Sequence, residues 1–314
     1  MKLEQAFGEN ALEIVFTKKA GDGAILTREF LRNGFRKVVA MGGDGTINEV
    51  ANGFFFAEEK KDACVGSNVD RDKIDFEMPN PSILKPVNSE AIMGLIPSGT
   101  RNVLAKSLGL PEGLMECCYN FVNGKIQKLD VITATVTDPT DHSIATTRAF
   151  LNAAEIGFGA EVIDRSKKVR EKVDSRLIST VTSVIATLPT YESNICEIEF
   201  DKGQEKVVTK MTMGVIANGK FLGGGFMVSP EASFSDGLLD IVILRDSGSL
   251  KMLDKLANIR IGDYVDDVDI LYRQVKKISI KSKERDVTVA IDGEPIGILP
   301  ATFQVNQHAL NVLL

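Results

Sequence analysis

Residues 38–50, VVAMGGDGTINEV, decide the fold of this chain. The stretch predicts an apolar strand, a turn in which three of four residues are glycine, and then a helix. Glycines let the backbone approach a ligand closely, and the helix that follows presents unpaired N–H groups that suit a phosphate. Asp44 would repel a bare phosphate, so it predicts either a divalent cation or proton transfer at this turn. The simpler interpretation is a structural strand-to-helix turn without a ligand.

The composition is that of a globular chain without a nucleic-acid partner. Of its 314 residues, 44% are hydrophobic and 25% are charged, which predicts about two domains with substantial cores. A net charge of −6 disfavours binding to nucleic acid. The four cysteines and two histidines show no metal-ligand spacing, which predicts reduced thiols in a cytoplasmic protein. Glutamates in the first turns argue against a signal peptide, and no apolar run reaches the ~18 residues of a membrane span.

Strands alternate with helices through residues 1–125, which predicts a parallel sheet covered by helices. Ligands of such sheets bind at the carboxyl ends of the strands, where the glycine turn lies. Residues 60–90 contain three prolines and no clear period, which predicts a mobile surface insertion. The predicted strands are 12–16, 36–41 and 91–96, and the predicted helices are 24–33, 46–59, 103–108 and 112–124.

A second strand-to-helix turn, PSGTRN at 97–102, follows the last of these strands. Gly99 permits close approach, Thr100 supplies a hydroxyl, and Asn102 supplies an amide at the start of the next helix. Capping of that helix would explain one of these residues but not all three of them.

Strand-like alternation dominates residues 126–314, which predicts a largely antiparallel β-sandwich. One helix, residues 160–188, interrupts this half, and its basic first part predicts a solvated face over an apolar stripe. A membrane-surface helix is the minority alternative. The predicted strands of this half are 128–136, 148–157, 195–200, 205–217, 238–244, 275–281, 286–291 and 301–305.

Two acidic turns in this half are candidates for chemistry. Asp236 before Gly237 is either plain turn chemistry or a ligand of a hard cation, with neighbouring carbonyls completing an oxygen shell. Asp292 and Glu294 flank Gly293 at the end of an apolar strand. A β-turn accounts for Asp292 and Gly293 but not for Glu294, which would be able to take the proton of an attacking hydroxyl.

Five motifs in this order resemble the diacylglycerol kinase catalytic-domain family, in particular the bacterial soluble lipid kinases related to sphingosine kinases. The resemblance implies an α/β ATP-binding domain at 1–125, a β-sandwich domain at 126–314 and an active site in the cleft between them. It implies ATP and Mg²⁺ as cofactors and a lipid at a membrane surface as the substrate, with transient membrane association. It leaves the oligomeric state open, with a homodimer among the alternatives. The motifs are GGDGTINEVANG (42–53), PSGTRNVLAKSLGLP (97–111), FLNAAEIGFGAEV (150–162), SFSDGLLDI (233–241) and IDGEPIG (291–297).

The same resemblance assigns roles to particular residues. Glu294 matches the family's proposed proton acceptor, with Asp292 as support, and Asp44 would engage magnesium or orient the acceptor hydroxyl. Ser233, Asp236 and Leu238 match a second, structural magnesium site. The implied nucleotide-binding residues are Thr17, Gly42, Gly43, Asp44, Gly45, Thr46, Asn48, Glu49, Gly99, Thr100 and Asn102.

Three features depart from the family pattern. No strand with an Asn-Pro turn precedes Leu12, so the first strand of the sheet is expected to be missing. Arg101 stands where a small residue is common and either adds a phosphate contact or crowds the site. The insertion at 60–90 is longer than the usual connection.

Two rival functions remain beside that of an ATP-dependent lipid kinase. An NAD kinase-like enzyme would share the glycine turn, and a catalytically silent regulator that binds ATP or lipid would fit the missing strand. The chain contains neither a GK[ST] Walker sequence nor a G-x-G-x-x-G fingerprint. This argues against a P-loop enzyme and against a dinucleotide oxidoreductase.

Overall fold

A computed structural model describes residues 12–56, 61–62, 84–170, 187, 190–223, 225–264 and 267–314. Its helices are α1 (Asp22–Arg32), α2 (Asp44–Gly53), α3 (Val103–Ser107), α4 (Leu114–Asn123), α5 (Phe158–Arg170) and α6 (Ser249–Ile261). Its strands are β1 (Lys37–Gly42), β2 (Lys61–Asp62), β3 (Ile92–Pro97), β4 (Ile126–Thr137), β5 (Ile144–Phe150), β6 (Ala153–Gly157), β7 (Asn194–Phe200), β8 (Glu205–Ala217), β9 (Leu239–Arg245), β10 (Ile270–Val275), β11 (Lys277–Ser282), β12 (Thr288–Ile291) and β13 (Glu294–Leu313).

The first half contains the predicted parallel strands and their helices. β1 and β3 pair in parallel and in register from Lys37 opposite Ile92 to Gly42 opposite Pro97. Helices α1 and α2 pack against each other and against β1. The glycine turn therefore lies at the carboxyl end of a parallel strand, as expected from the alternation of strands and helices.

The predicted strand at 12–16 is wrong. Residues 12–18 are irregular, and the side chains of Ile14, Val15 and Phe16 are exposed. Apolar content alone does not make a strand, because a strand needs a hydrogen-bonding neighbour. Within the part of the chain that the structure describes, β1 pairs only with β3, so its other edge stays open.

The long strand β13 joins the two halves of the chain. Its start forms a hairpin with β12, and its middle pairs with β4 and β11. Its end runs parallel to β3, with Asn311 opposite Ile92 and Val312 opposite Met93. The last strand of the chain is therefore a member of the sheet that the sequence assigned to residues 1–125 alone. The division near residue 125 stays a prediction.

The second half is built from antiparallel pairs, which confirms the predicted strand orientation. β8 pairs with β6, β7 and β9, and β9 also pairs with β10. The hydrophobic core of this half contains the fully buried side chains of Phe150, Phe200 and Phe303. No helix in the described ranges has the length and apolar character needed to cross a membrane.

Two observations bear on the helices of this half. α5 confirms the start of the predicted helix at 160–188, whereas residues 171–186 and the apolar stripe on them lie outside the described residues. The sequence interpretation placed one helix here and missed α6. This helix lies between Gly248 and Gly262, both at positive φ, and it buries Met252 and Ile259. The predicted insertion at 60–90 lies mostly outside the described residues. Only residues 61–62 and 84–90 of it are described.

Candidate active site

The two glycine turns touch each other, backbone against backbone. The N–H of Ser98 donates to the carbonyl oxygen of Gly42 at 2.9 Å. A Cβ built on Gly99 would lie only 2.4 Å from the Cα of Gly43. Because no side chain fits between them, glycine at these positions lets the ends of β1 and β3 come together. The start of α2 and the turn before α3 consequently face one cleft.

Asp44, the first residue of α2, links these two helices. Its Oδ1 accepts a hydrogen bond from the N–H of Leu104 at 3.2 Å, so the carboxylate caps the first turn of α3 from a neighbouring element. Asp44 also lines the cleft. Asn102 serves the turn in another way, since its Oδ1 accepts from the N–H of Gly99 at 2.9 Å. Its side chain therefore closes the turn instead of capping its own helix.

Asp292 lies at the centre of a hydrogen-bond network between the two halves. One of its carboxylate oxygens accepts from Asn152 N–H and Ala153 N–H at 3.1 and 3.0 Å. The other accepts from Leu151 N–H at 3.2 Å and from Asn48 Nδ2 at 2.8 Å. Burial raises the pKa of Asp292, and the hydrogen bonds to Ala153, Leu151, Asn48 and Asn152 oppose that rise. Asp292 and Asn48 thus position α2 against the second half.

Asp292→Asn is expected to lower the free energy of unfolding by about 2 kcal/mol or more, because its amide NH₂ would face N–H donors that lose their acceptor. Chemical denaturation monitored by circular dichroism measures the change. Asp263→Asn is the matched control, since Asp263 is exposed. Equal denaturation midpoints for the two variants would contradict the network's role in stability.

Glu294 reaches the glycine turn of residues 42–45 from the second half. Asp292 and Gly293, with φ of 46° and 83°, form the two-residue hairpin turn that places Glu294 at the start of β13. A Cβ on Gly45 would lie 3.4 Å from Oε1 of Glu294. Oε2 of Glu294 lies 3.5 Å from a guanidinium nitrogen of Arg148, and both side chains are partly exposed. The carboxylate therefore stands over the start of α2 with access to solvent.

The structure brings half of the predicted site residues into one cleft of about 500 Å³. The ones that line it are Gly43, Asp44, Gly45, Thr46, Gly99, Thr100, Asp292 and Glu294. Gly42 lies behind the turn, where a Cβ would meet Thr46 at 2.5 Å.

Five predicted nucleotide-binding residues do not line this cleft, namely Thr17, Gly42, Asn48, Glu49 and Asn102. The carboxylate oxygens of Glu49 accept from Gly21 N–H at 2.8 Å and Gly23 N–H at 3.0 Å, so this side chain holds the start of α1. Thr17 lies exposed in the irregular segment 12–18. Both assignments came from resemblance, and the local sequence contains no signal for the contact that Glu49 makes.

Two charged residues that the sequence interpretation left without a firm role also line the cleft. Arg101 was noted as a departure from the family pattern, and Glu155 of β6 was not singled out. Burial raises the pKa of Glu155 to about 7, and the charge of Arg101 opposes the rise. The available signal was an acid within the otherwise apolar strand AAEIG. A carboxyl group with such a shifted pKa in a cleft is typical of functional sites.

The predicted magnesium loop, residues 233–238, lies apart from the cleft-lining residues. Oδ1 of Asp236 accepts from the N–H of Leu238 at 3.0 Å, and Oγ of Ser233 accepts from the N–H of Ser235 at 3.4 Å. In the described parts of the chain, no three His, Cys, Asp or Glu side chains converge as a metal would require. Among the described residues no hydrogen bond reaches the other carboxylate oxygen of Asp236, and with the carbonyls of Ser233 and Leu238 it forms an all-oxygen set of the kind that hard cations prefer.

Two buried acids, Asp130 and Asp240, lie near this loop. Burial raises the pKa of Asp130, and hydrogen bonds from the N–H groups of His308 and Gly237 oppose the rise. Burial also raises the pKa of Asp240, against hydrogen bonds from Tyr272 and Gln274. Because protein donors already satisfy these two carboxylates, the fit of the loop to a cation rests on its own oxygen atoms alone.

The fold and the cleft together define a class of protein in which a catalytic α/β domain is joined to a β-sandwich-like domain. Residues 2–134 match the family model of the diacylglycerol kinase catalytic domain. Residues 152–314 match that of the YegS C-terminal NAD kinase β-sandwich-like domain. The chain therefore belongs to the diacylglycerol kinase family that carries the YegS-type C-terminal domain.

Individual relatives agree with this assignment. A protein of Bacillus subtilis (strain 168) named diacylglycerol kinase is 25% identical over 305 residues, covering 96% of this chain and 84% of that protein. A Chromohalobacter salexigens protein named probable lipid kinase YegS-like is 28% identical over 292 residues, covering 90% of this chain and 78% of that protein. A crystal structure from Bacillus anthracis str. Sterne covers 99% of this chain and 89% of its own, with a TM-score of 0.68 and 21% identity. That last likeness shows the fold alone.

Proposed function

We propose that the protein is an ATP-dependent lipid kinase that transfers the γ-phosphoryl group of ATP to a lipid hydroxyl at a membrane surface. Its family supports lipid kinase activity. The observation that carries the finer proposal is the contact between the two glycine turns, with Asp44 and Glu294 beside it on one cleft.

The phosphates of ATP would bind at these two turns. Gly99 and Gly43 pack backbone against backbone, so both turns present their N–H groups to the same cleft. The N–H groups at the start of α2 would hold phosphate oxygens, and the Thr100 hydroxyl would add a donor. Arg101 would supply the positive charge that a P-loop lysine supplies elsewhere. Magnesium carried with ATP would neutralise further phosphate charge.

The two carboxylates would act on the acceptor. Glu294 would take the proton of the lipid hydroxyl as that oxygen attacks the γ-phosphorus and the bond to the β-phosphate oxygen breaks. Asp44 would engage magnesium or orient the hydroxyl. Asp292 is better described as a positioning residue, because both of its oxygens already accept two hydrogen bonds each.

An assay with γ-labelled ATP against a panel of lipids, with NAD as a further acceptor, tests this proposal. Label in an organic-phase lipid is the expected result. Label in NADP would overturn the proposal in favour of an NAD kinase-like enzyme. Binding of ATP or lipid without any transfer would favour a silent regulator.

Asp236→Ala is expected to reduce the rise in melting temperature that magnesium produces, because it removes the one side-chain carboxylate of the loop at 233–238. Differential scanning fluorimetry with and without magnesium measures the effect. Asp254→Ala, an exposed acid on α6, is the control. An unchanged response to magnesium in Asp236→Ala would remove the structural magnesium site, leaving the proposed transfer reaction in place.

A further inference from the structure

Glu155 occupies a defined place in the wall of the cleft. It lies in β6 between β8 and β12, opposite Val215 and Ala290. A Cβ on Gly159 would lie 2.6 Å from Oε2 of Glu155, so the carboxylate packs against the first turn of α5. Glycine at 159 thus leaves the space that this side chain needs.

The carboxylate of Glu155 faces the cleft, and its side chain is only partly exposed. Among the residues that the structure describes, no hydrogen bond or ion pair reaches it, and only the more distant charge of Arg101 acts on it. Partial burial in the wall of the cleft disfavours the ionised form of a carboxylate that has no donor beside it. A ligand that brings a donor to Glu155 therefore gains more than it would at an exposed carboxylate.

The charges of the cleft indicate which ligand brings that donor. A phosphate group would be repelled by Glu155 and attracted by Arg101, which is likewise without a described hydrogen bond. Asp44 and Glu294 lie on the side where the phosphates and the reacting hydroxyl belong under the proposed function. The remaining group that would lie near Glu155 is the headgroup of the acceptor lipid.

We propose that Glu155 determines acceptor specificity by accepting a hydrogen bond from a second donor, a hydroxyl or an amine, beside the reacting hydroxyl of the lipid. This inference rests on the proposed lipid kinase activity. Diacylglycerol offers no such donor, since its other polar atoms are ester oxygens that only accept. A monoacylglycerol offers a second hydroxyl, and a long-chain amino alcohol offers an amine.

The test compares kcat/KM for monoacylglycerol, a long-chain amino alcohol and diacylglycerol of matched chain length in mixed micelles at pH 8. The wild-type protein is expected to prefer one or both donor-bearing lipids over diacylglycerol. Glu155→Gln is expected to lower that preference about tenfold or more, because a charged hydrogen bond is lost. Glu90→Gln, an exposed acid outside the cleft, is the matched control and should retain the preference.

The outcomes separate this inference from the function on which it rests. Transfer to lipid with the same preference in wild type and Glu155→Gln would overturn the role of Glu155 and leave the kinase proposal standing. A preference of the wild type for diacylglycerol would also overturn it. Transfer to none of the lipids would overturn both proposals. The monoacylglycerol and amino alcohol arms show whether a hydroxyl or an amine is the donor.

Discussion

Glu294→Gln is expected to lower phosphoryl transfer about 10²- to 10⁴-fold, because the amide cannot accept the proton of the lipid hydroxyl. The fold should be retained, since Glu294 is partly exposed and its ion-pair partner Arg148 lies 3.5 Å away. Transfer from labelled ATP to lipid, measured at saturating ATP, gives the loss in kcat. The KM for ATP is expected to change little.

Arg148→Met provides the control for this experiment. It removes the ion pair but leaves the carboxylate of Glu294 beside Gly45, so its kcat should fall much less. Turnover near the wild-type value in Glu294→Gln would show that another group accepts the proton. The cleft would then have to be searched for the base among its other acids.

Asp44→Asn is the second substitution expected to abolish transfer while the fold survives. The Oδ1 of asparagine can still accept from the N–H of Leu104, so the cap on α3 is preserved. What disappears is the negative charge at the start of α2, which is needed to hold magnesium or to orient the acceptor hydroxyl. The loss is measured in the same transfer assay.

A magnesium titration separates the two roles of Asp44. A raised magnesium requirement in Asp44→Asn would indicate cation binding, whereas a raised KM for the lipid would indicate orientation of the hydroxyl. Unaltered turnover of Asp44→Asn would contradict both proposed roles of Asp44. The melting temperature of the variant serves as the control for folding.

Much of the first half was predictable from local patterns. β1 and β3 begin and end within one residue of their predicted bounds, because glycine turns and runs of apolar residues act over short distances. α2 begins within two residues of its predicted start but ends at Gly53, six residues before its predicted end. The strand at 12–16 failed for a different reason. None of the described strands lies beside its apolar residues, and pairing is a property of neighbours that the pattern does not contain.

The candidate site divides in the same way. The glycine turns at Gly43 and Gly99 were expected from their sequences. The Asp-Gly pair at 292–293 likewise predicted the turn that presents Glu294. The contact of Glu49 with the start of α1 and the position of Glu155 were not expected. Glu49 was assigned to another contact because its partners lie on a different helix, and Glu155 was overlooked because the cleft that it lines is built from elements distant in sequence.

By itself, the sequence determined most of the strand–helix alternation of residues 36–124, the two glycine turns, and the acidic hairpin, since each depends on residues close together in the chain. Only the tertiary structure decided that β13 completes the sheet beside β3 and that Asn48 binds Asp292, although 244 residues separate them. Such contacts depend on strand register and on the packing of distant elements. No local pattern carries that information, and it is these contacts that bring Asp44, Glu155 and Glu294 into one cleft.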